Sequence, residues 1–130
     1  DYKQITIKGE QLRPHHTTTY HHEDVQFIKH ELAAAAAAGE RAVVLSHHAP
    51  VGLGWYSCTR PAEWHSSVCE MNGTTMTDLF RPPLVAWLFG HTHWFADLTI
   101  GGVRIVSNPR GYPFEKEVGE AYSAEYALSF

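Results

Sequence analysis

Val85–His93 reads VAWLFGHTH: an apolar run, a glycine, then two histidines separated by one residue. Upstream, Ala42–Pro50 reads AVVLSHHAP and repeats the design, an apolar run that ends in His47 and His48. Short runs rich in Val and Leu predict buried strands. In extended backbone, residues i and i+2 face the same side. His91 and His93 are therefore expected to aim two imidazoles at one point just beyond a strand end. Gly90 would let the chain turn there without a Cβ penalty. Two adjacent strands that both end in histidine make a transition-metal site the first expectation.

Composition sets the bounds. The 130 residues suffice for one domain with a core but not for two. With 44% hydrophobic and 18% charged residues the chain is globular in character. Its formal charge of −4, without a Lys/Arg cluster, argues against a nucleic-acid partner. Ten histidines are the one outlier. No apolar stretch approaches the roughly 20 residues of a membrane span. No signal peptide is evident, so a cytoplasmic location is favoured, and the start at Asp1 without an initiator Met points to a processed or partial chain. Cys58 and Cys69 lack the paired spacing of a structural zinc site, and a disulfide between them is left open.

Along the chain, Tyr2, Ile5 and Ile7 suggest a short strand, and 11–24 reads as a polar loop leading into a helix cap. A helix is expected from His22 to Ala38: Val25, Ile28 and Leu32 share a face, Glu23 and Asp24 occupy the first turn, and Gly39 follows as the terminator. Arg41–Ser46 is read as the first buried strand and Leu84–Phe89 as the second. Between them lie a long aromatic loop and a second helix within Ser67–Phe80, stopped by Pro82 and Pro83. Phe95–Ile100 and Val103–Ser107 form a hairpin about Gly101-Gly102. The alternation of Tyr122, Ala124, Tyr126, Leu128 and Phe130 predicts a last strand.

The HxH pattern occurs in several unrelated metal enzymes. A metallo-β-lactamase-like hydrolase would continue as HxHxDH, but here Trp94 and Phe95 follow and Asp97 comes too late. A cupin would set HxH inside an all-β barrel, against the helices expected here. In SHHAP, Pro50 stiffens the turn, and because neighbours alternate only one of His47 and His48 is expected to face a given side. Three converging imidazoles would suit Zn, Fe or Mn.

SHHAP followed by FGHTHWFADLTIGGVRIVSNPRGY resembles the last two metal-binding blocks of the calcineurin-like metallophosphoesterase family, and DVQFIKHEL resembles the helix before them. The likeness spans roughly residues 20–113. It implies an α/β (α+β) fold, the C-terminal half of a four-layer αββα sandwich with a mixed sheet and a hairpin after GHTH. It also implies hydrolysis of phosphomonoesters or phosphodiesters at two divalent metal ions (Mn, Fe or Zn) bridged by an aspartate. By position, His47 and His91 would ligate one metal and His93 the other. His48 would either support the metal ligands from behind or face substrate, and His48 or His65 would be the candidate proton donor. Trp55, Tyr56, Arg60 and His65 would rim the substrate cleft. Arg110 would approach the phosphate, as would Asn108, although N-P-R-G is equally a turn.

The departure from the family is large. Its aspartate-x-histidine, glycine-aspartate and glycine-asparagine-histidine blocks are missing: the aspartates are Asp1, Asp24, Asp78 and Asp97, and Asn72-Gly73 carries no following histidine. Residues 1–130 are thus expected to form a single partial domain, active only with an N-terminal half of the same fold, in cis or as a separate chain. No membrane role is expected. The alternatives are a degenerate, non-catalytic member serving as a structural or partner-binding subunit, and a mononuclear three-histidine hydrolase.

Overall fold

The computed structural model describes residues 3–7, 9–51 and 73–129. Strands β1 (Thr6–Ile7) and β2 (Glu10–Gln11) form a small antiparallel ribbon. Helix α1 (Pro14–Ala38) leads to strand β3 (Ala42–Leu45). Strands β4 (Leu84–Leu88), β5 (Ala96–Ile100) and β6 (Val103–Ser107) follow, then helix α2 (Lys116–Ala121). The second sheet has the order β3-β4-β6-β5, with β3, β4 and β6 parallel and β5 antiparallel to β6. The fold is therefore mixed α+β with a mixed sheet.

Helix α1 begins eight positions before the expected His22, at Pro14, whose missing N–H and fixed φ suit a first helical position. The backbone N–H of Arg13 donates to His16 Nδ1 at 3.0 Å. The hydroxyls of Thr17 and Thr18 donate back to the Pro14 carbonyl, and that of Thr19 to the His15 carbonyl. A polar run that reads as loop is thus helical, its hydroxyls satisfied inside the helix. Glu23 and Asp24 consequently lie mid-helix, not in its first turn. Gly39 ends the helix in the left-handed region at φ 69°, and the Glu40 N–H reaches the Ala35 carbonyl.

Strands β4 and β6 are the buried centre. Leu84, Ala86, Trp87, Val103 and Ile105 are all within 2% exposure, and all but Ala86 join Leu32 of α1, Phe80 and Phe89 in one core. Strand β3, expected to be buried, is an edge strand among the described residues. Val43 and Leu45 are 40% and 76% exposed, and Phe27 on α1 is 64% exposed. An apolar run without alternation gives hydrophobicity, not the number of covered faces. The β5–β6 hairpin forms as expected, with Gly101 and Gly102 both at positive φ in the turn.

Two further expectations are corrected. Of the helix placed within Ser67–Phe80, the described residues 73–80 hold only a 3-10 turn at Thr77–Leu79. The last strand is also absent among the described residues. Tyr122–Ser129 follows α2, turns at Ala124–Glu125, and is tied to the hairpin by side chains rather than by a ladder. The Arg104 guanidinium grips Asp97 through two hydrogen bonds of 2.8 and 2.7 Å, and the Tyr126 hydroxyl donates to the same carboxylate. Asn108 exchanges two hydrogen bonds with the Ser123 backbone. No helix among the described residues is long and apolar enough to cross a membrane.

Candidate functional site

Because β3, β4 and β6 are parallel, their carboxyl ends share one edge of the sheet. His47 and His48 follow β3, His91 and His93 follow β4, and Asn108, Arg110 and Glu115 follow β6. This is the edge where open α/β sheets bind ligands. Backbone pairing continues past the strands: Ser46 N–H donates to the Leu88 carbonyl at 3.0 Å and Gly90 N–H to the His47 carbonyl at 3.1 Å. The core also reaches into this edge. Trp87 Nε1 donates to Ser46 Oγ at 2.8 Å, and that hydroxyl donates to the His48 carbonyl at 2.7 Å.

His47 Nε2 and His91 Nδ1 lie 3.0 Å apart. The His48 ring is 4.3 Å from that of His91 and 5.2 Å from that of His47, centroid to centroid. The expectation that only one of His47 and His48 faces this side is therefore corrected. Residues 46–48 bend away from strand geometry, so the alternation of an extended chain stops at Leu45. His91 and His93 likewise do not converge. Residues 91–93 form a turn, and His93, not Gly90, adopts positive φ at 48°. This sends His93 to Glu115, whose Oε2 lies 2.7 Å from His93 Nδ1.

Burial lowers the pKa of His91, reinforced by His48, His47 and His93 nearby. Burial also lowers that of His48, aided by His47 and His21. Both rings are thus held toward the neutral form, the form in which an imidazole ligates a metal. A cavity of about 740 Å³ opens beside them between α1 and β3, bounded by His21, Asp24, Leu45, His47 and His48.

The pair fits one cation as two adjacent ligands. Two nitrogens each about 2.1 Å from a metal are separated by about 3.0 Å at a right angle and about 3.4 Å in a tetrahedron. The fit is partial, because no group of three or more His, Cys, Asp or Glu among the described residues is arranged to hold a metal ion. Arg110 is exposed on the same edge. The amide of Asn108 is engaged by Ser123, which makes it a turn-fixing residue. Trp55, Tyr56, Arg60, His65, Cys58 and Cys69 lie outside the described residues. Sequence reasoning missed Glu115 and His21. A signal existed for the first, a carboxylate soon after the N-P-R-G turn; nothing in the helical pattern singles out the second.

The chain is 27% identical over 111 residues to the uncharacterized protein L509 of Acanthamoeba polyphaga mimivirus. The match covers 82% of this chain and 38% of that protein, so the chain spans well under half the length of this relative. No family model matches the chain, and no solved structure matches it.

Proposed function

We propose that this chain is the C-terminal part of a calcineurin-like, dinuclear metal-dependent phosphoric ester hydrolase, completed by an N-terminal portion of the same fold in cis or as a separate chain. One observation carries the reading. His47 Nε2 and His91 Nδ1 meet at 3.0 Å from the ends of neighbouring parallel strands, while His93 is turned away to a different partner. That two-and-one division is the one the family resemblance implies, with His47 and His91 on one metal and His93 on the other. The β3 edge, unpaired among the described residues and with Val43, Leu45 and Phe27 exposed, agrees with a missing half of a sandwich.

Divalent cations would supply Lewis acidity toward phosphoryl oxygens and an acidified water as nucleophile. The chain's own residues do the rest. His47 and His91 present two imidazole nitrogens just beyond the ends of β3 and β4. His48, beside them and held toward neutrality by burial, is placed to hydrogen-bond a substrate oxygen. Arg110 offers a fixed positive charge to a phosphate approaching along the same edge. The carboxylate that would bridge the metals has to come from outside this chain's described residues, since neutral imidazoles do not offset the repulsion of two cations.

The test compares the 130-residue chain with the protein extended by the sequence encoded upstream of Asp1, using Mn²⁺ or Zn²⁺ and a chromogenic phosphodiester. Turnover only in the extended protein is the expected result. Robust turnover by the 130 residues alone contradicts the split site. An extended protein that binds no metal and turns nothing over supports the non-catalytic alternative instead.

A further inference from the structure

We propose that Glu115 is the positioning residue of His93: its carboxylate takes the Nδ1–H, fixes that tautomer, and leaves Nε2 presented to a divalent cation. The inference rests on the reading of His93 as a ligand and extends it to a residue outside both histidine motifs.

Four observations meet at this pair. Glu115 Oε2 lies 2.7 Å from His93 Nδ1, with the carboxylate side chain only 12% exposed. The same oxygen accepts the Tyr112 backbone N–H at 2.8 Å, so it cannot swing away without stranding a second donor. The Tyr112 ring stands edge-on to the His93 ring, centroids 4.9 Å apart, and fixes its plane. Gly111, at φ 68°, lets the loop pass directly over the carboxylate. A Cβ there would lie 3.0 Å from Glu115 Oε2 and 2.8 Å from Val118 Cγ1.

The direction of this arrangement is informative. His93 is a non-glycine residue in the left-handed region, a conformation that costs on the order of 1 kcal/mol and persists only where its surroundings hold it. Those surroundings secure one ring nitrogen only. Among the described residues Nε2 has no hydrogen-bond partner. An imidazole whose first nitrogen is bound to a carboxylate has its second set as a lone-pair donor. Such outer partners raise ligand basicity and typically hold 10–100-fold of metal affinity.

The experiment is nitrogen-15 NMR of the histidine side chains in the 130-residue chain, titrated with zinc alone. In the wild type, His93 should be protonated at Nδ1, and zinc should shift its Nε2 resonance. In Glu115→Ala the Nδ1–H tautomer should lose its dominance, and the zinc concentration that half-shifts Nε2 should rise by about tenfold or more. Glu115→Gln keeps an acceptor for Tyr112 and His93 without the charge. It should retain the fold and the tautomer with a smaller rise, and it decides the matter if the alanine variant does not fold. An unchanged tautomer in Glu115→Ala, or an unchanged zinc response in both variants, overturns the inference. The same spectra separate it from the functional reading. If His47 and His91 respond to zinc and His93 does not, the positioning role is wrong while the paired site stands; if none responds, both are wrong.

Discussion

Ser46 joins the hydrophobic core to the histidine bend, and removing that joint has a calculable cost. Its hydroxyl accepts from Trp87 Nε1 and donates to the His48 carbonyl, while Trp87 itself is 2% exposed. Ser46→Ala leaves the buried indole N–H without its acceptor, at about 1–3 kcal/mol. Trp87→Phe removes that donor and opens a void beside Phe80, together about 2–3 kcal/mol. In the Phe background, Ser46→Ala strands no N–H and removes only the link to His48, about 1 kcal/mol. The loss of the His48 link is common to both backgrounds and cancels, so the double-mutant cycle should show a coupling of about 1–3 kcal/mol, the double variant being more stable than the two single losses predict. Urea midpoints read this, provided the slopes are unchanged and all four proteins are compared at one chain concentration, so that any association contributes equally. Losses that add to within about 0.3–0.5 kcal/mol would refute the linkage.

The Asp97–Arg104 pair gives a pH prediction. Hydrogen bonding from Arg104 holds the Asp97 carboxyl at about 2, below its ordinary 3.8. A depressed carboxylate stabilises the fold above its unfolded value, and the contribution fades as pH falls from about 4 toward 2. Thermal midpoints of Asp97→Asn should accordingly fall below the wild type at pH 6 and converge with it near pH 2; a gap independent of pH would count against this. The pair is partly solvent-screened, so the gap should be modest. Ile105→Ala, at a fully buried position, should cost about 2–5 kcal/mol in urea unfolding, and a cost under about 1 would misplace the core. Leu45→Glu, on the open edge, should reduce self-association and binding of a hydrophobic dye without lowering stability by more than about 0.5 kcal/mol. A loss of several kcal/mol there would mean that β3 is covered.

The central sheet was legible because β4, β5 and β6 carry strong local signals: an unbroken apolar run, then an alternating pair about two glycines. Helix α1 was legible where its apolar residues repeat, but its first two turns were not. Their evidence is hydroxyl-to-carbonyl bonding by Thr17–Thr19, which polarity alone disguises as loop. The C-terminal alternation misled because Tyr126 is held by hydrogen bonds to the Asp97–Arg104 ion pair, a tertiary contact with no local periodicity. The histidines themselves were found from their motifs, yet their directions were not. Period-two reasoning holds only while the chain is extended, and both motifs sit just beyond strand ends where it bends. Glu115 was overlooked because its partner lies 22 positions away and only the fold brings them together.

The most direct test of the central claim is the zinc affinity of the chain, measured by competition with a chromophoric chelator. His47→Ala/His91→Ala should weaken binding by at least about tenfold with circular dichroism unchanged. His22→Ala/His30→Ala, which removes two exposed histidines of α1, should leave it as it was. Equal losses from both pairs, or none from the first, would contradict a metal site built on the ends of β3 and β4.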